Sequence, residues 1–500
     1  MRLEHGRGSI CRSAFDPCRS FCPATLLPVS SRSTDPTTLK WEVGYLGQMI
    51  VTKLTAYAPC RIASSTSCVG DGIVIYIEWG FTSSPFQTTS LPATDLGERL
   101  LVGRDTVLKS LMGRITSVPK LATVEGLNGV GKTSIVNVAA HKLYKRFIES
   151  GTGPLYVPCG RTFQLSAEQS LQDFIDLVYI EIAQTLIARA EDIKKHGHWL
   201  ETAAINRWLN SPELTTFQGG VWVVQAGMQR QLNSGVGFER SGLRNAVGQW
   251  LKTIFPTPEE GAIICTIDNL ELLQSSETAR SMLERMRDEL FHTAGIRWVL
   301  CGSLGIVYGV VSSPRPEGYL HKPIEIGEIG AEHIKDLLRS RIAAYSDDPN
   351  LSYIPINVEE FEFLYLVLKG NTRSVLSYTD DYCQWISDRD RPISEGEKTQ
   401  AFLAWLKEQA EAAYEASRQE LRPKALEVFS QACVLGVFSP SDFEAFGFNS
   451  IPAFRPHIRD LELAGLVVST QDEGDKRRKT IQVTPKGWIV KFYRDENPTV

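Results

Sequence analysis

A parallel β-sheet covered by helices on both faces, followed by an all-helical unit and a small helix-and-hairpin unit, is the fold class this sequence predicts. Three observations carry the prediction. Strand-like and helix-like stretches alternate between Leu121 and Ile329, the pattern of parallel α/β layers. Strand signals stop after residue 330. Residues 419–500 then read as three helices, a hairpin and a last helix.

The bulk properties fit a chain of several globular domains. At 500 residues it has room for two to four, at roughly 150 residues each. Its 43% hydrophobic and 22% charged content is ordinary for globular proteins. The net charge of −5 gives no whole-chain attraction to nucleic acid, so such binding needs a local basic patch. No apolar run reaches the roughly 18 residues of a membrane span, since "GIVIYIEWGF" (72–81) is too short and carries a glutamate. No continuous apolar stretch near the start suggests a signal peptide. A cytoplasmic protein without membrane contact is expected.

Residues 1–75 are rich in Ser, Thr, Pro, Cys and Arg and lack sustained periodicity. They hold too little apolar surface to offset the entropy of ordering. A disordered leader, or an upstream stretch read from the wrong start site, is expected; a transit-like segment is the alternative. Five of the ten cysteines fall in this stretch, with no CxxC spacing to suggest a metal site. The later five sit mostly in apolar runs and read as buried thiols.

The elements of the α/β part follow in order. A helix is expected from Asp105. "KLATVEG" reads as a strand, then comes a Gly-rich loop and a helix from Thr133. "PLYVPC" (154–159) reads as a second strand. "SLQDFIDLVYIEIAQTLIARA" has Phe174, Ile175, Val178, Ile182 and Leu186 on one helical face. Gly261–Asp268 is a third strand, nearly all apolar as central parallel strands are. Ile296–Ser303 and Pro323–Ile329 are the fourth and fifth. The Gly-rich stretch 217–238 reads as an inserted loop or hairpin. Beyond 330, stretches 331–345, 358–386 and 400–420 read as helices, broken by the polar "SDRDRPISEGEKTQ". The expected domains are a core over 95–330, a helical lid over 331–418 and a C-terminal unit over 419–500.

The loop carries the most specific signal. Gly126 to Thr133 fits G-x-x-x-x-G-K-[ST], placed after a strand and before a helix. Gly126, Gly129 and Gly131 let the backbone turn its N–H groups inward, and the helix N-terminus adds partial positive charge. Lys132 is expected to reach the β- and γ-phosphates of ATP, and Thr133 to bind Mg²⁺ through its hydroxyl. Asn128 and Ser134 complete the loop. Asp268 ends the third strand, where a phosphate-loop ATPase needs an acid for Mg²⁺; a helix N-cap is its other role. Ser303 ends the neighbouring strand, as a γ-phosphate contact or as an ordinary strand-end serine.

Taken together, "LLVGRD", "GLNGVGKT", "IICTIDNLE", "WVLCGS" and "KGNTRSVL" occur in an order that resembles the AAA+/STAND-type ATPases. The likeness is greatest to the prokaryotic proteins similar to origin-recognition and cell-division-cycle initiator ATPases, and it covers about residues 95–380. The resemblance implies that Val102, Gly103 and Arg104 line the adenine side and that Asp268 is the second acidic motif. It further implies that Ser303 is the first sensor and Arg373 the second-sensor arginine on the lid. Arg315 falls where such families often carry an arginine finger, or is a solvated arginine. One departure stands out. Many of these ATPases place glutamate directly after the Mg²⁺ aspartate, and here Asn269 follows Asp268, with Glu271 the nearest acid. General-base help is worth about 10² to 10⁴ in rate, so slow hydrolysis is expected unless Glu271 substitutes.

The C-terminal unit reads as a winged helix, a helix-turn-helix variant. "LELAGLV" and "VTPKG" resemble MarR-like and initiator-type winged helices. Arg455, His457 and Arg459 are expected to face a DNA groove, and Lys476, Arg477, Arg478 and Lys479 to contact phosphates from the wing. Pro456 is expected to interrupt the recognition helix, and Asp472, Glu473 and Asp475 weaken the positive field. The function expected is an ATP-switched protein of low turnover that controls a DNA-binding module on double-stranded DNA, with a homo-oligomer as its assembly. The alternative is a STAND-type signalling or defence switch whose winged helix contacts protein.

Overall fold

The computed structural model describes residues 72–166, 169–209, 240–270, 276–303, 318–348, 351–419, 421–471 and 479–498. The leader up to residue 71 and the 217–238 insertion lie outside these. Helices α1 (Gly72–Glu78), α2 (Asp95–Leu100) and α3 (Asp105–Thr116) lead into β1 (Ala122–Gly126) and α4 (Lys132–Ser150). Strand β2 (Leu155–Gln164) is followed by α5 (Leu171–Ala188), α6 (Ala190–Lys195), α7 (Ala203–Leu209) and α8 (Arg240–Ile254). Then come β3 (Gly261–Asp268), α9 (Ser276–Met286), β4 (Ile296–Gly302) and β5 (Ile324–Ile326).

The five strands form one parallel sheet in the order β2-β3-β4-β1-β5. Strand alternation explains why both faces are covered. Ile263, Cys265 and Ile267 join one apolar cluster, with α5 and α8, while Ala262 and Ile264 join the other, with α3 and α4. Every residue of β3 is buried, as its run of apolar residues predicts. β2 extends to Gln164, further than the sequence suggests, and its register shifts between Pro158 and Thr162. It is an edge strand, where a proline and a bulge are tolerated. Cys159 is half-buried at this bulge; Cys265, Cys301, Cys383 and Cys433 are buried thiols.

The helical region comprises α10 (Ile334–Tyr345), α11 (Val358–Val367), α12 (Thr372–Ser387) and α13 (Glu395–Arg418). The polar stretch expected to break these helices is also what starts α13. Ser394 accepts from Glu397 N at 3.3 Å and Glu397 accepts from Ser394 N at 2.9 Å, a capping box.

The C-terminal unit comprises α14 (Pro423–Leu435), β6 (Val437–Phe438), a 3₁₀ turn (Pro440–Phe446), α15 (Ile451–Leu463), β7 (Val467–Gln471), β8 (Lys479–Val483) and α16 (Pro485–Glu496). Its antiparallel strands run β6-β8-β7, giving the winged-helix arrangement. Contrary to expectation, α15 is unbroken at Pro456. The proline falls in the second turn, where it withdraws one hydrogen bond without ending the helix. The unit packs on the lid through aromatic pairs: Tyr414 on Tyr493 at 5.0 Å and Phe363 on Phe492 at 5.8 Å.

The first described residues also depart from the sequence reading. Helix α1 begins inside the stretch expected to be leader, and Tyr76, Trp79, Phe81 and Phe86 are all buried. Tyr76 Oη donates to Asp380 Oδ1 at 2.5 Å, and Tyr353 N donates to Trp79 O at 2.8 Å, fixing this segment to the lid. Further on, Leu91 N donates to Ser134 Oγ at 3.0 Å and Asn137 donates to Leu91 O at 2.9 Å. Residues 79–91 are thus a strap from the lid to α4. No helix among the described residues is long and apolar enough to cross a membrane.

Candidate nucleotide site and C-terminal basic surface

In parallel α/β sheets, ligands bind beyond the carboxyl ends of the strands, where the strand order reverses direction. Here β1 lies between β4 and β5, and the loop Leu127–Gly131 leaves its carboxyl end to enter α4. The glycines are needed in place. Gly129 and Gly131 have φ of +88° and +95°, a region glycine enters freely. A Cβ on Gly126 would lie 2.5 Å from Ile326 O.

Lys132 is only 6% exposed, and its Nζ donates to Gly126 O at 3.0 Å and Leu127 O at 3.2 Å, with Asn128 Oδ1 at 3.5 Å. Among the described residues no carboxylate pairs with it. Thr133 Oγ1 donates to Asp268 Oδ2, so the hydroxyl and the buried acid expected to share a metal ion already touch. Asp268 Oδ1 accepts from Asn269 N at 2.9 Å, and Asn269 holds φ +56°. The residues fit a polyphosphate with a divalent cation: an ammonium met only by neutral oxygens, a glycine loop at a helix N-terminus, and an adjoining hydroxyl–carboxylate pair.

A cavity of about 340 Å³ brings these residues together. Asn128, Gly129, Gly131, Lys132, Thr133, Ser134, Asp268, Val102, Arg104 and Arg373 all line it. Thr162 and Gln164, on β2 beside Asp268, line it too and were not anticipated.

Some expected residues are engaged within the chain, and others do not line the cavity. Arg104 donates to Val130 O at 3.2 Å, Gly327 O at 2.7 Å and Glu328 O at 3.2 Å, so its guanidinium ties the loop to the end of β5. Burial holds its pKa below the usual arginine value. Gly103 packs against His333 and Ile329, and is not among the cavity-lining residues. Ser303 is buried after β4 and is likewise not among them. Ser134 Oγ is engaged by the strap at Leu91. Glu271 and Arg315 lie outside the described residues.

The lid reaches the loop through a residue that the sequence reading passed over. Asn371 Nδ2 donates to Asn128 O at 3.1 Å, and its Oδ1 accepts from Ser374 N at 3.1 Å, capping α12. Arg373, exposed in the first turn of α12, donates its backbone N–H to Gly129 O at 3.4 Å. The signal was available: an asparagine before a helical run is a preferred N-cap.

In the C-terminal unit, Arg455 and Arg459 are exposed one turn apart on α15, and neither pairs with a carboxylate among the described residues. His457, between them, is half-buried with its ring 5.1 Å from Phe448, and its Nδ1 is buried without a partner. Burial, then the neighbouring Arg422 and Lys424, lower its pKa, with Asp460 opposing. His457 therefore packs more than it presents. Lys479 donates to Glu462 at 2.8 Å, joining the hairpin base to α15. Lys476, Arg477 and Arg478 lie outside the described residues.

No family model and no curated protein matches this chain. Solved structures similar to it include the ORC1 protein of Aeropyrum pernix in complex with DNA, at 15% identity over 80% of this chain and 93% of that one, TM-score 0.36. The Drosophila ORC bound to DNA is similar at 12% identity over 91% and 99%, TM-score 0.34. So is Cdc6p from Pyrobaculum aerophilum, at 14% identity over 82% and 98%, TM-score 0.35.

Proposed function

We propose that this protein is an ATP-binding switch of low turnover whose nucleotide state controls the C-terminal winged helix on double-stranded DNA, in DNA-linked regulation or a replication-type role. The observation that carries the reading is the buried Lys132 ammonium, met only by neutral oxygen atoms inside a loop of left-handed glycines. A buried cation without a counter-charge is costly unless an anion completes it. The triphosphate supplies that anion. Thr133 and Asp268 would hold Mg²⁺, which neutralises phosphate charge.

Slow turnover follows from Asn269, which puts an amide where an acid would activate water. A bound state that persists suits a switch. The lid supplies the readout, since Asn371 and Arg373 meet the loop tip and α16 packs on the lid. Arg455 and Arg459 supply the basic face for phosphates.

A second reading, a signalling or defence switch with a protein-contacting winged helix, is favoured by exposed apolar residues on that unit. Val434 is 74% exposed and Leu463 71%. One experiment separates the two: binding of the full chain to double-stranded DNA with ATP, ADP or no nucleotide over a salt series. The DNA reading expects affinity that falls steeply with salt, differs between ATP and ADP, and loses that difference in Lys132→Ala. Absence of binding at low salt in every nucleotide state refutes it and leaves the protein-contact reading.

A further inference from the structure

The cavity at the phosphate loop adjoins a second one of about 390 Å³, lined by Gln87, Leu96 and Tyr345 among others and by no residue of the loop. Thr89, Ser90, Leu91 and Arg341 line both cavities and so mark the seam between them. The surroundings on the nucleotide side are largely aliphatic, with Leu100, Leu101, Val102, Ile329, Leu337 and Leu376.

Arg341 shares this lining with the apolar residues. Arg341, on α10 one turn beyond Leu337, is only 5% exposed. Its Nη1 donates to the strap at Pro85 O (2.9 Å) and Gln87 O (3.1 Å). Its Nε is buried with no partner, and among the described residues no carboxylate pairs with it. Burial pulls its pKa down to about 10, with Tyr345 the opposing influence. A guanidinium has five N–H donors, and a buried charged donor left unmet is destabilising. The phosphate charges have their own partners at Lys132 and the start of α4. What remains for Arg341 is a neutral acceptor carried by a flat apolar group.

We propose that Arg341 is a specificity-determining residue that recognises the nucleotide base, donating from its unpartnered N–H edge to a ring nitrogen of a purine lying among the leucines. The inference rests on the reading that a nucleoside triphosphate occupies the loop. It adds which residue reads the base, and ties that residue to the strap, since the same guanidinium holds the carbonyls of Pro85 and Gln87.

The test is calorimetric titration of the full chain with ATP, with 1-deaza-, 3-deaza- and 7-deaza-ATP, and with inorganic triphosphate as the base-free probe, all with Mg²⁺. Wild type is expected to bind triphosphate at least tenfold more weakly than ATP. One deaza analogue loses about fivefold or more, while the other two stay within twofold of ATP. Arg341→Met binds triphosphate as wild type does, binds ATP about tenfold more weakly, and no longer distinguishes the analogues. A merely structural role for Arg341 would lower affinity for ATP and triphosphate together. The proposal is overturned if all three analogues bind wild type like ATP, or if Arg341→Met keeps the wild-type ratio of ATP to triphosphate affinity. Should Arg341→Met not fold, Arg341→Lys keeps the charge with a different donor geometry, and an unchanged analogue profile in it is equally fatal. Failure of wild type to bind both ATP and triphosphate sinks the nucleotide reading itself, an outcome distinct from loss of base discrimination alone.

Discussion

The side-chain amide of Asn371 donates to the main-chain carbonyl of Asn128 at 3.1 Å, joining the first turn of a lid helix to the tip of the phosphate loop. The turn that delivers Asn371 is left-handed at two successive residues, Lys369 at φ +49° and Gly370 at φ +70°. Lys369 Nζ in turn lies 5.5 Å from the ring centre of Trp488 on α16. One short turn therefore touches the loop at one end and the winged helix at the other. Under the proposed function, this turn is where a ligand at the loop tip would act on the C-terminal unit, through the differential contacts it makes.

Asn371→Asp separates the two roles of this residue. A carboxylate still caps α12 at Ser374, so melting of the unliganded chain should change little. The donor to Asn128 O is replaced by a charged acceptor near the expected phosphate position. ATP affinity should fall about tenfold, equivalent to about 1.4 kcal/mol. Asn371→Ala loses the cap as well, at a cost of about 1 kcal/mol. Calorimetry and thermal melting check both; wild-type ATP affinity in Asn371→Asp would show that the contact is incidental.

Lys132→Met should act oppositely on the free and bound states. Without nucleotide it removes a buried charge held only by neutral oxygens, so the variant should melt no lower than wild type. With ATP at 100 times its Kd, wild type should gain about 2.7 kcal/mol and the variant close to nothing. Melting curves with and without MgATP provide the check, and an equal ATP-induced shift in the two proteins would rule out Lys132 as the phosphate partner.

The join between α1 and the strap makes a contrast within three residues. Trp79 is 2% exposed, edge-on to Tyr353 at 5.2 Å, whereas Ile77 is 60% exposed. Trp79→Ala should cost about 3 to 5 kcal/mol, the range for large buried aromatics. Ile77→Ala should stay within about 0.5 kcal/mol. Denaturant titration of both variants tests this, and a mild effect at Trp79 would mean that the strap is dispensable to the fold.

These residues also show where sequence is legible. The loop, β3 and Asp268 could be read directly, because a fixed glycine spacing and an unbroken apolar strand are local signals. The five strands were found in order for the same reason, from Ala122 to Ile326. The strap was not. Tyr76 and Trp79 have no periodicity of their own, and their partners, Asp380 and Tyr353, lie some 300 residues away in the chain. Arg104 lines the cavity, but its guanidinium is taken up by three carbonyls of the folded chain, a long-range arrangement that no local signal announces. Arg341 gave no signal at all, since an arginine in an amphipathic helix is normally solvated. Pro456 misled in the other direction: its position in the second turn matters more than its identity.

His457 gives a pH-dependent consequence. Burial, Arg422 and Lys424 hold its folded pKa below the usual histidine value of about 6.5. The folded chain thus prefers the neutral ring. Its contribution is fully present above the unfolded pKa and is lost as pH falls through about 6.5 towards the depressed folded value. A carbon-13 histidine titration by NMR, with the signal assigned by its loss in His457→Gln, should place the midpoint below 6.5. A midpoint at or above 6.5 would contradict the buried, unpartnered Nδ1.

Asn269 is held in an unusual backbone conformation directly after Asp268. At φ +56° it occupies the left-handed region, where asparagine is several-fold enriched and most other residues are strained. Its backbone N–H holds Asp268 Oδ1 at 2.9 Å, so the conformation itself fixes the carboxylate that faces Thr133. Asn269→Gly should leave stability within a few tenths of a kcal/mol, since glycine adopts this φ without a Cβ penalty. Asn269→Glu should cost about 1 kcal/mol or more, the lower end for a residue strained in this region. Denaturant melts of the two variants decide it. If glutamate is tolerated as well as glycine, the left-handed turn does not select the residue, and the amide at this position needs a chemical explanation instead.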